Sequence, residues 1–310
     1  MSRGFFMTPD ILTVTLNPAI DRIIRRDGPL SVQSSFAGGK GVNVARALEA
    51  LNVPARSIGV AGGPAGRLLQ EYLDQEKINH IFLPIKGSTR TNLTMIGRDG
   101  VVRRKIEFGP VMTKKERVAF AALFCREIRP FSTVVFAGSL PLKFPIRDFL
   151  SLVTSAQHSG SAVVVDTHGL ALKAALGLAV DCIKPNQKEA EDVLGFKLSS
   201  RARMRKALRT FIGYGIKKVL ISLGPEGLVA SDGQKELWVR TPVVSQGHAV
   251  GCGDAALAGF LSADVRSKNF QTCVAYAAAC GYANMLCGVP GKIVKKNIQY
   301  ALSRRKLIWL

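Results

Sequence analysis

The stretch AVGCGDAALAGF, residues 249–260, sets two glycines, a thiol and a carboxylate directly before a run of small apolar residues. Alanine and leucine favour helix and glycine does not, so a loop turning into a helix is predicted at Gly251-Cys252-Gly253. The first N–H groups of a helix lack an intrahelical acceptor and carry partial positive charge. These three residues could therefore offer donors to an anion with little side chain in the way. Asp254 stands beside that anion, where an ionised carboxylate can take up a proton. Aspartate is also a favoured N-cap, and on this stretch alone a purely capping role is equally open.

Five further stretches carry residue types that bind small anionic or hydroxylated ligands. AGGKGVNVA (37–45) joins a glycine-rich loop to a helix start: Gly38, Gly39 and Gly41 permit close backbone approach, Lys40 adds a cation, and Asn43 both donates and accepts. No G-x-x-x-x-G-K-[ST] loop occurs, so a nucleotide must be held in some other way. TLNPAID (15–21) puts Asp21 just past a strand, and TRTN (89–92) offers the Arg90 fork, suited to a phosphate; the plain alternatives are a turn-capping Asp and a solvated Arg. In IKPNQKEAE (183–191), Asn186 and Glu189 suit magnesium held partly through water, or form a capping box with no ligand at all. ISLGPEG (221–227) ends a strand in a turn able to pass close to a nucleotide.

The elements that must position these residues follow from hydrophobic period. The β-branched runs at 11–16, 55–62, 133–138, 162–167 and 217–224 read as strands. The segments 43–51, 66–75, 149–159 and 189–195 have helical period. Alternation of the two argues an α/β fold with a mostly parallel sheet covered on both faces, binding ligands at the carboxyl ends of its strands. Two regions break the rhythm. Asp21–Phe36 and Ile81–Glu107 look like antiparallel hairpins, able to form a small second β-sheet acting as a lid. No repeat or Gly/Ser linker divides the chain, so one domain over 1–310 is expected.

The chain has 43 Lys and Arg against 22 Asp and Glu, a formal net charge of +21, which attracts phosphorylated ligands, nucleic acid or anionic surfaces alike. No zinc-finger spacing, aromatic RNP-like strand or heptad-plus-basic pattern accompanies the charge, so nucleic acid is disfavoured. The six cysteines, Cys125, Cys182, Cys252, Cys273, Cys280 and Cys287, include no C-x-x-C pair, which points to a reducing, cytoplasmic setting. The last three fall at seven-residue spacing and read as one buried helix stripe. The uncharged segment 269–291 is long enough for a membrane span. Its glycines, asparagine and many alanines favour a buried helix instead, and no membrane association is expected.

Taken together, TLNPAID, AGGKGVNVA, TRTN, AGSLP (137–141), KPNQKE, SLGPEG and VGCGD resemble the PfkB, or ribokinase-like, carbohydrate kinases in order and spacing. TLNPAID and TRTN look most like the subgroup acting on sugar phosphates, the 1-phosphofructokinases and tagatose-6-phosphate kinases. The resemblance implies a ribokinase-like three-layer core with a β-sheet lid, ATP as donor and Mg2+ as cofactor. It implies Asp254 as catalytic base and the Gly251-Cys252-Gly253 backbone as anion hole. By the same carry-over Asp21, Gly38, Gly39, Lys40, Asn43, Arg90 and Ser139 hold the sugar phosphate. Lys184, Asn186, Ser222, Gly224 and Gly227 lie on the nucleotide side, with Asn186 and Glu189 toward magnesium.

The expected reaction is phosphorylation of a ketohexose monophosphate, first of all fructose 1-phosphate to the 1,6-bisphosphate, with tagatose 6-phosphate and fructose 6-phosphate as alternatives. A homodimer through the lid is a further expectation. The chain departs from the usual family pattern at Ala249, Cys252 and Ala255. A thiol at a helix N-terminus tends to a lowered pKa, which Asp254 opposes, and alkylation of Cys252 is expected to block turnover. The reading of another class is a non-catalytic nucleic-acid or regulatory binder on a kinase scaffold, for which the +21 charge speaks and the retained Asp254, Asn186 and Glu189 do not.

Overall fold

In a computed structural model of the protein, residues 11–27, 30–97, 102–129, 131–244, 247 and 249–310 are described. The elements run β1 (Ile11–Thr15), β2 (Ala19–Asp27), β3 (Leu30–Gly38), α1 (Lys40–Ala50), β4 (Ala55–Ala61), α2 (Gly63–Gln75), β5 (His80–Pro84), β6 (Arg90–Ile96) and β7 (Val102–Lys105). They continue α3 (Lys114–Glu127), β8 (Thr133–Ala137), α4 (Ile146–His158), β9 (Ala162–Asp166), α5 (Gly169–Leu176), β10 (Cys182–Ile183), α6 (Gln187–Leu194), α7 (Arg201–Gly213) and β11 (Lys218–Ser222). The remainder is β12 (Leu228–Ser231), β13 (Glu236–Arg240), α8 (Cys252–Asp264), α9 (Phe270–Met285), α10 (Lys295–Ser303) and β14 (Lys306–Trp309).

The apolar runs become the inner strands of one sheet because their residues must be buried on both faces. That sheet has ten strands in the order β14-β13-β12-β11-β10-β9-β8-β1-β4-β5. The strands from β5 to β11 are parallel, and β12, β13 and β14 add an antiparallel edge. One face packs Phe120, Phe124, Phe149, Leu172 and Phe211 from α3, α4, α5 and α7. The other packs Val44, Leu48, Leu257, Val274 and Ile298 from α1, α8, α9 and α10. The result is the expected three-layer α/β core, and its strand order reverses between β1 and β8, where ligands settle at the carboxyl ends.

A second sheet has four strands in the order β3-β2-β6-β7. Both hairpins are antiparallel as expected, but they join through a parallel pairing of β2 with β6. The region 81–107 therefore divides: β5 pairs parallel with β4 at the edge of the large sheet, and the small sheet begins only at Arg90. Short alternating runs look alike on any half-covered strand, so the pattern could not separate the two.

The expected stripe of three cysteines also divides. Cys273 and Cys280 are buried on α9, where a Cβ on Gly259 would fall 2.7 Å from the Cys280 sulfur, so the two small residues let α8 and α9 approach closely. Cys287 lies beyond the end of α9. Among the described residues no helix is long and apolar enough to cross a membrane.

Candidate active site

The β9 run AVVVD ends in Asp166, whose side chain is fully buried. Its Oδ1 accepts a hydrogen bond from Lys40 Nζ at 2.8 Å, and its Oδ2 lies 3.1 Å from Lys184 Nζ. Lys40 opens α1, and Lys184 follows β10 and is itself buried. Glu189 Oε1 stands 3.7 Å from Lys40 Nζ. Asp254, in the first turn of α8, accepts a hydrogen bond from Asn43 Nδ2 at 2.7 Å and is buried as well. An isolated buried charge costs several kcal/mol, so the two lysines and two aspartates persist by neutralising one another.

Burial, and next the like charge of Asp166, push the Asp254 carboxyl up to about 6, while Lys40, Asn43 and Lys184 oppose the rise. Asp254 is thus ionised at neutral pH yet more basic than a carboxylate in water. Burial works to lower Lys40, but the Asp166, Glu189 and Asp254 carboxylates outweigh it and hold the ammonium charged. Burial works to raise Asp166, and Lys184 and Lys40 overcome it, keeping the carboxylate ionised.

At the entrance of α8, Gly251 has φ +79°, and a Cβ there would meet Pro290 at 2.6 Å, so both the turn and the packing require glycine. The first intrahelical bond runs from Ala255 N–H to Gly251 C=O at 2.9 Å, and Cys252 N–H already donates to Ala249 C=O at 3.3 Å. Helix geometry therefore leaves the N–H groups of Gly251, Gly253 and Asp254 without an intrahelical acceptor, while that of Cys252 is already engaged. A Cβ on Gly253 would come 3.1 Å from Lys184 Nζ. Lys184, expected on the nucleotide side, thus stands directly at this helix entrance. The Cys252 thiol is pushed up to about 12, by burial first and by Asp254 second, so the expected tendency to a reactive thiolate is corrected.

The small sheet brings a second group together. In the β2–β6 register Asp21 faces Asn92, whose Nδ2 donates to Asp21 Oδ1 at 2.7 Å. Gly38 makes room for that carboxylate, since a Cβ there would fall 2.3 Å from Asp21 Oδ2. Burial raises Asp21 above the usual carboxylate range, against the Asn92 hydrogen bond and the nearby arginines. Arg90 donates through Nη1 to Glu107 C=O at 2.9 Å and through Nη2 to Asn17 C=O at 3.0 Å. Its Nε is buried with no partner among the described residues. Gly39, with φ +110°, caps α1, and Ser139 Oγ accepts from Asn17 Nδ2 at 3.0 Å.

On the nucleotide side Asn186 and Glu189 do form the capping box: Asn186 Oδ1 accepts from Glu189 N–H and Glu189 Oε2 from Asn186 N–H, each at 2.9 Å. Ser222 bridges to Asn186 at the neighbouring strand end. Gly224, at φ +60°, opens the following turn with nothing within 4 Å of where a Cβ would stand. Gly227, at φ +94°, is pressed on Val239 C=O. Among the described residues no hydrogen bond or ion pair joins Gly224 or Gly227 to Asp254, and no group of three His, Cys, Asp or Glu side chains gathers around a metal position.

Three residues in these networks escape the sequence. Asp166 ends an apolar strand, as turn-forming aspartates often do. Asn17 lies inside TLNPAID but acts as a strut, donating to Phe108 C=O at 3.0 Å as well as to Ser139. Arg46 sits in a helical run and carries no motif.

The family described as pfkB family carbohydrate kinase matches residues 19–293. Phosphofructokinase-2 from Escherichia coli, solved in complex with fructose-6-phosphate, is 27% identical with a TM-score of 0.87, over 96% of this chain and 99% of that one. The tetrameric inhibited form of the same enzyme gives 27% and 0.86, over 96% and 99%. A possible 1-phosphofructokinase from Thermotoga maritima shares the fold at 24% identity and a TM-score of 0.88, over 97% and 99%.

Proposed function

The chain belongs to the pfkB family of carbohydrate kinases and is an ATP-dependent sugar kinase, and we propose that its acceptor is a ketohexose monophosphate, fructose 1-phosphate first. One observation carries the reading: a buried carboxylate, Asp254, stands at a helix entrance held by the Asn43 amide, close to a buried Asp166 paired with the ammonium groups of Lys40 and Lys184. Phosphoryl transfer needs an aligned hydroxyl and compensation of charge on the moving group more than it needs covalent chemistry.

In this reading Asp254 takes the proton of the attacking hydroxyl. The Gly251, Gly253 and Asp254 N–H groups and Lys184 compensate the developing negative charge, each backbone donor at an oxyanion being worth about 2.7–4 kcal/mol. Gly251 shapes the turn, and Cys252 contributes backbone while its thiol stays protonated. Lys40 and Asn43 orient the acceptor against Asp254. Asp21 accepts from sugar hydroxyls, Gly38 and Gly39 allow close approach, Ser139 donates to the sugar phosphate, and Arg90 offers its guanidinium to the phosphate.

ATP is the donor substrate, with its phosphates toward Lys184 and Asn186 and the remainder along Ser222, Gly224 and Gly227. With Asn186 Oδ1 and one Glu189 oxygen engaged in the cap, the residues suit a magnesium ion held through water and phosphate oxygens, with Glu189 facing it, rather than in a protein cage. Such an ion would neutralise charge on the phosphate oxygens. Two copies would pair through the small sheet, where Met95, and Ile106 and Phe108 just after it, expose apolar surface; light scattering checks this, and a monomer at every concentration would dismiss it.

Fructose 6-phosphate is the second reading, favoured by the likeness to the enzyme solved with that sugar. ADP release with magnesium-ATP, measured against fructose 1-phosphate, fructose 6-phosphate, tagatose 6-phosphate, fructose and ribose, decides among them. Turnover confined to phosphorylated sugars is expected, and turnover only with free sugars would overturn the acceptor class.

A further inference from the structure

Asn43 is the one side chain that hydrogen-bonds Asp254 among the described contacts, and the orientation of its amide decides whether it donates or repels. Arg46, nearly a turn further along α1, is buried and spends all five of its guanidinium donors. Nη1 donates to Asn43 Oδ1 at 2.9 Å and to Pro290 C=O at 2.8 Å. Nη2 donates to Ala37 C=O at 2.6 Å and to Glu76 Oε1 at 3.1 Å, and Nε to Glu76 Oε2. With Oδ1 turned to the guanidinium, Nδ2 is the end left for Asp254. A flipped amide would set N–H against guanidinium and oxygen against carboxylate, both repulsive.

The other partners of Arg46 are also parts of the site. Pro290 is the residue that a Cβ on Gly251 would strike, and Gly291 packs so tightly on Asn43 that a Cβ there would fall 2.3 Å from the Asn43 carbonyl oxygen. Ala37 belongs to β3, beside the Asp21 pocket. One cation therefore meets the base-holding amide, the turn that backs the α8 entrance and the root of the small sheet. We propose that Arg46 is a positioning residue of this active site, locking the Asn43 amide in the orientation that donates to Asp254 and tying that pair to the α8 entrance and the small sheet. The proposal rests on Asp254 as the base for its effect on turnover, but its structural part does not.

The groups facing Asp254 are Lys40 and Asn43 from α1, Asp166 at the end of β9, Lys184 after β10 and Cys252 on its own helix. Arg46 reaches it through Asn43. The test is carboxyl-carbon NMR titration of Asp254 in the full chain without ligands, for the native protein, Arg46→Met, Arg46→Lys, Asn43→Ala and the double variant Arg46→Met/Asn43→Ala. Loss of a hydrogen bond to a carboxylate moves its titration up by about one pH unit. The expected result is that shift in Arg46→Met and in Asn43→Ala, with no further shift in the double variant. Arg46→Lys keeps the buried charge and the pairing with Glu76, so it keeps the fold if the methionine variant does not. Its three donors cannot serve five contacts, and an intermediate shift is expected.

A folded Arg46→Lys or Arg46→Met with Asp254 titrating at the native pH, or shifts that add in the double variant, would overturn the proposal. In parallel, the acid limb of the kcat profile should move up with the titration in Arg46→Met, lowering kcat about tenfold at pH 5 and about twofold at pH 7. Asp254→Asn separates the two ideas. Normal turnover there removes the base assignment while the NMR result stands, whereas lost turnover with unshifted Arg46 variants removes the Arg46 proposal alone.

Discussion

The two halves of the site are built differently. On the large sheet, Lys40, Asp166, Lys184, Asn43 and Asp254 come from β9, the end of β10 and the first turns of α1 and α8, and hold one another in paired contacts of 2.7–3.1 Å. On the small sheet, Asp21 has one amide partner, and Arg90 is anchored on two backbone carbonyls with its Nε unpaired. The side chains of the first half are paired with one another. The second keeps hydrogen-bonding capacity in reserve. Chemistry at one and selection at the other is the division this implies, because a pre-paired network cannot adapt to its ligand and a partly paired one can.

The comparison breaks most visibly at the base. Asp254→Asn should lower kcat by about 10²–10⁴ with the thermal unfolding transition retained, and near-native turnover would dissolve the distinction between the halves. Asp166→Ala should act on stability instead. Two lysines, one of them fully enclosed, would lose their counter-charge, and removing one partner of a buried pair costs about 3–5 kcal/mol, read from urea unfolding. A loss no larger than that of a surface substitution would show that water already reaches this cluster.

Arg90→Met sharpens the contrast from the other side. KM for the sugar phosphate should rise by about ten- to a hundredfold, the worth of a charge-assisted bond, while KM for ATP stays put. Equal effects on both would place Arg90 with the chemistry. The pH profile tests Asp254 more gently. The base must be ionised, so kcat/KM should hold above about 6 and fall about tenfold per unit as pH drops below it. A profile flat down to pH 5 would be that of a carboxylate in water. The smallest effect belongs to Cys252: with its thiol pushed up to about 12, iodoacetamide should modify it far more slowly than an ordinary exposed cysteine, as followed by mass spectrometry.

The first half of the site was legible where residue type and local turn coincide. Gly251, Gly253 and Asp254 announce a helix entrance with an acid, and Lys40 follows a glycine pair. Asp166 was not, because its role depends on two lysines from elsewhere, Lys40 at the start of α1 and Lys184 after β10, which no local pattern reveals. Arg46 was hidden for the opposite reason: a helical arginine looks solvated unless the loop at Pro290 and the side chain of Glu76 are known to cover it. The parallel strands of the large sheet were readable from their doubly buried runs. The antiparallel edge formed by β12, β13 and β14 drew no reading, and β5 passed for part of the small sheet, since half-covered strands carry a weaker pattern than buried ones.

The pairing of β2 with β6 has a mechanical side. The four strands of the small sheet enter and leave the large body through residues 16–18, 39, 85–89 and 106–113, so the sheet is fastened by four separate straps of unequal length. A plate held at one edge can swing on a single hinge, whereas one held at four points would move only as a whole. Asp21 and Arg90 sit on neighbouring strands of that plate, so any displacement of it would carry the two together relative to Lys40 and Asp254.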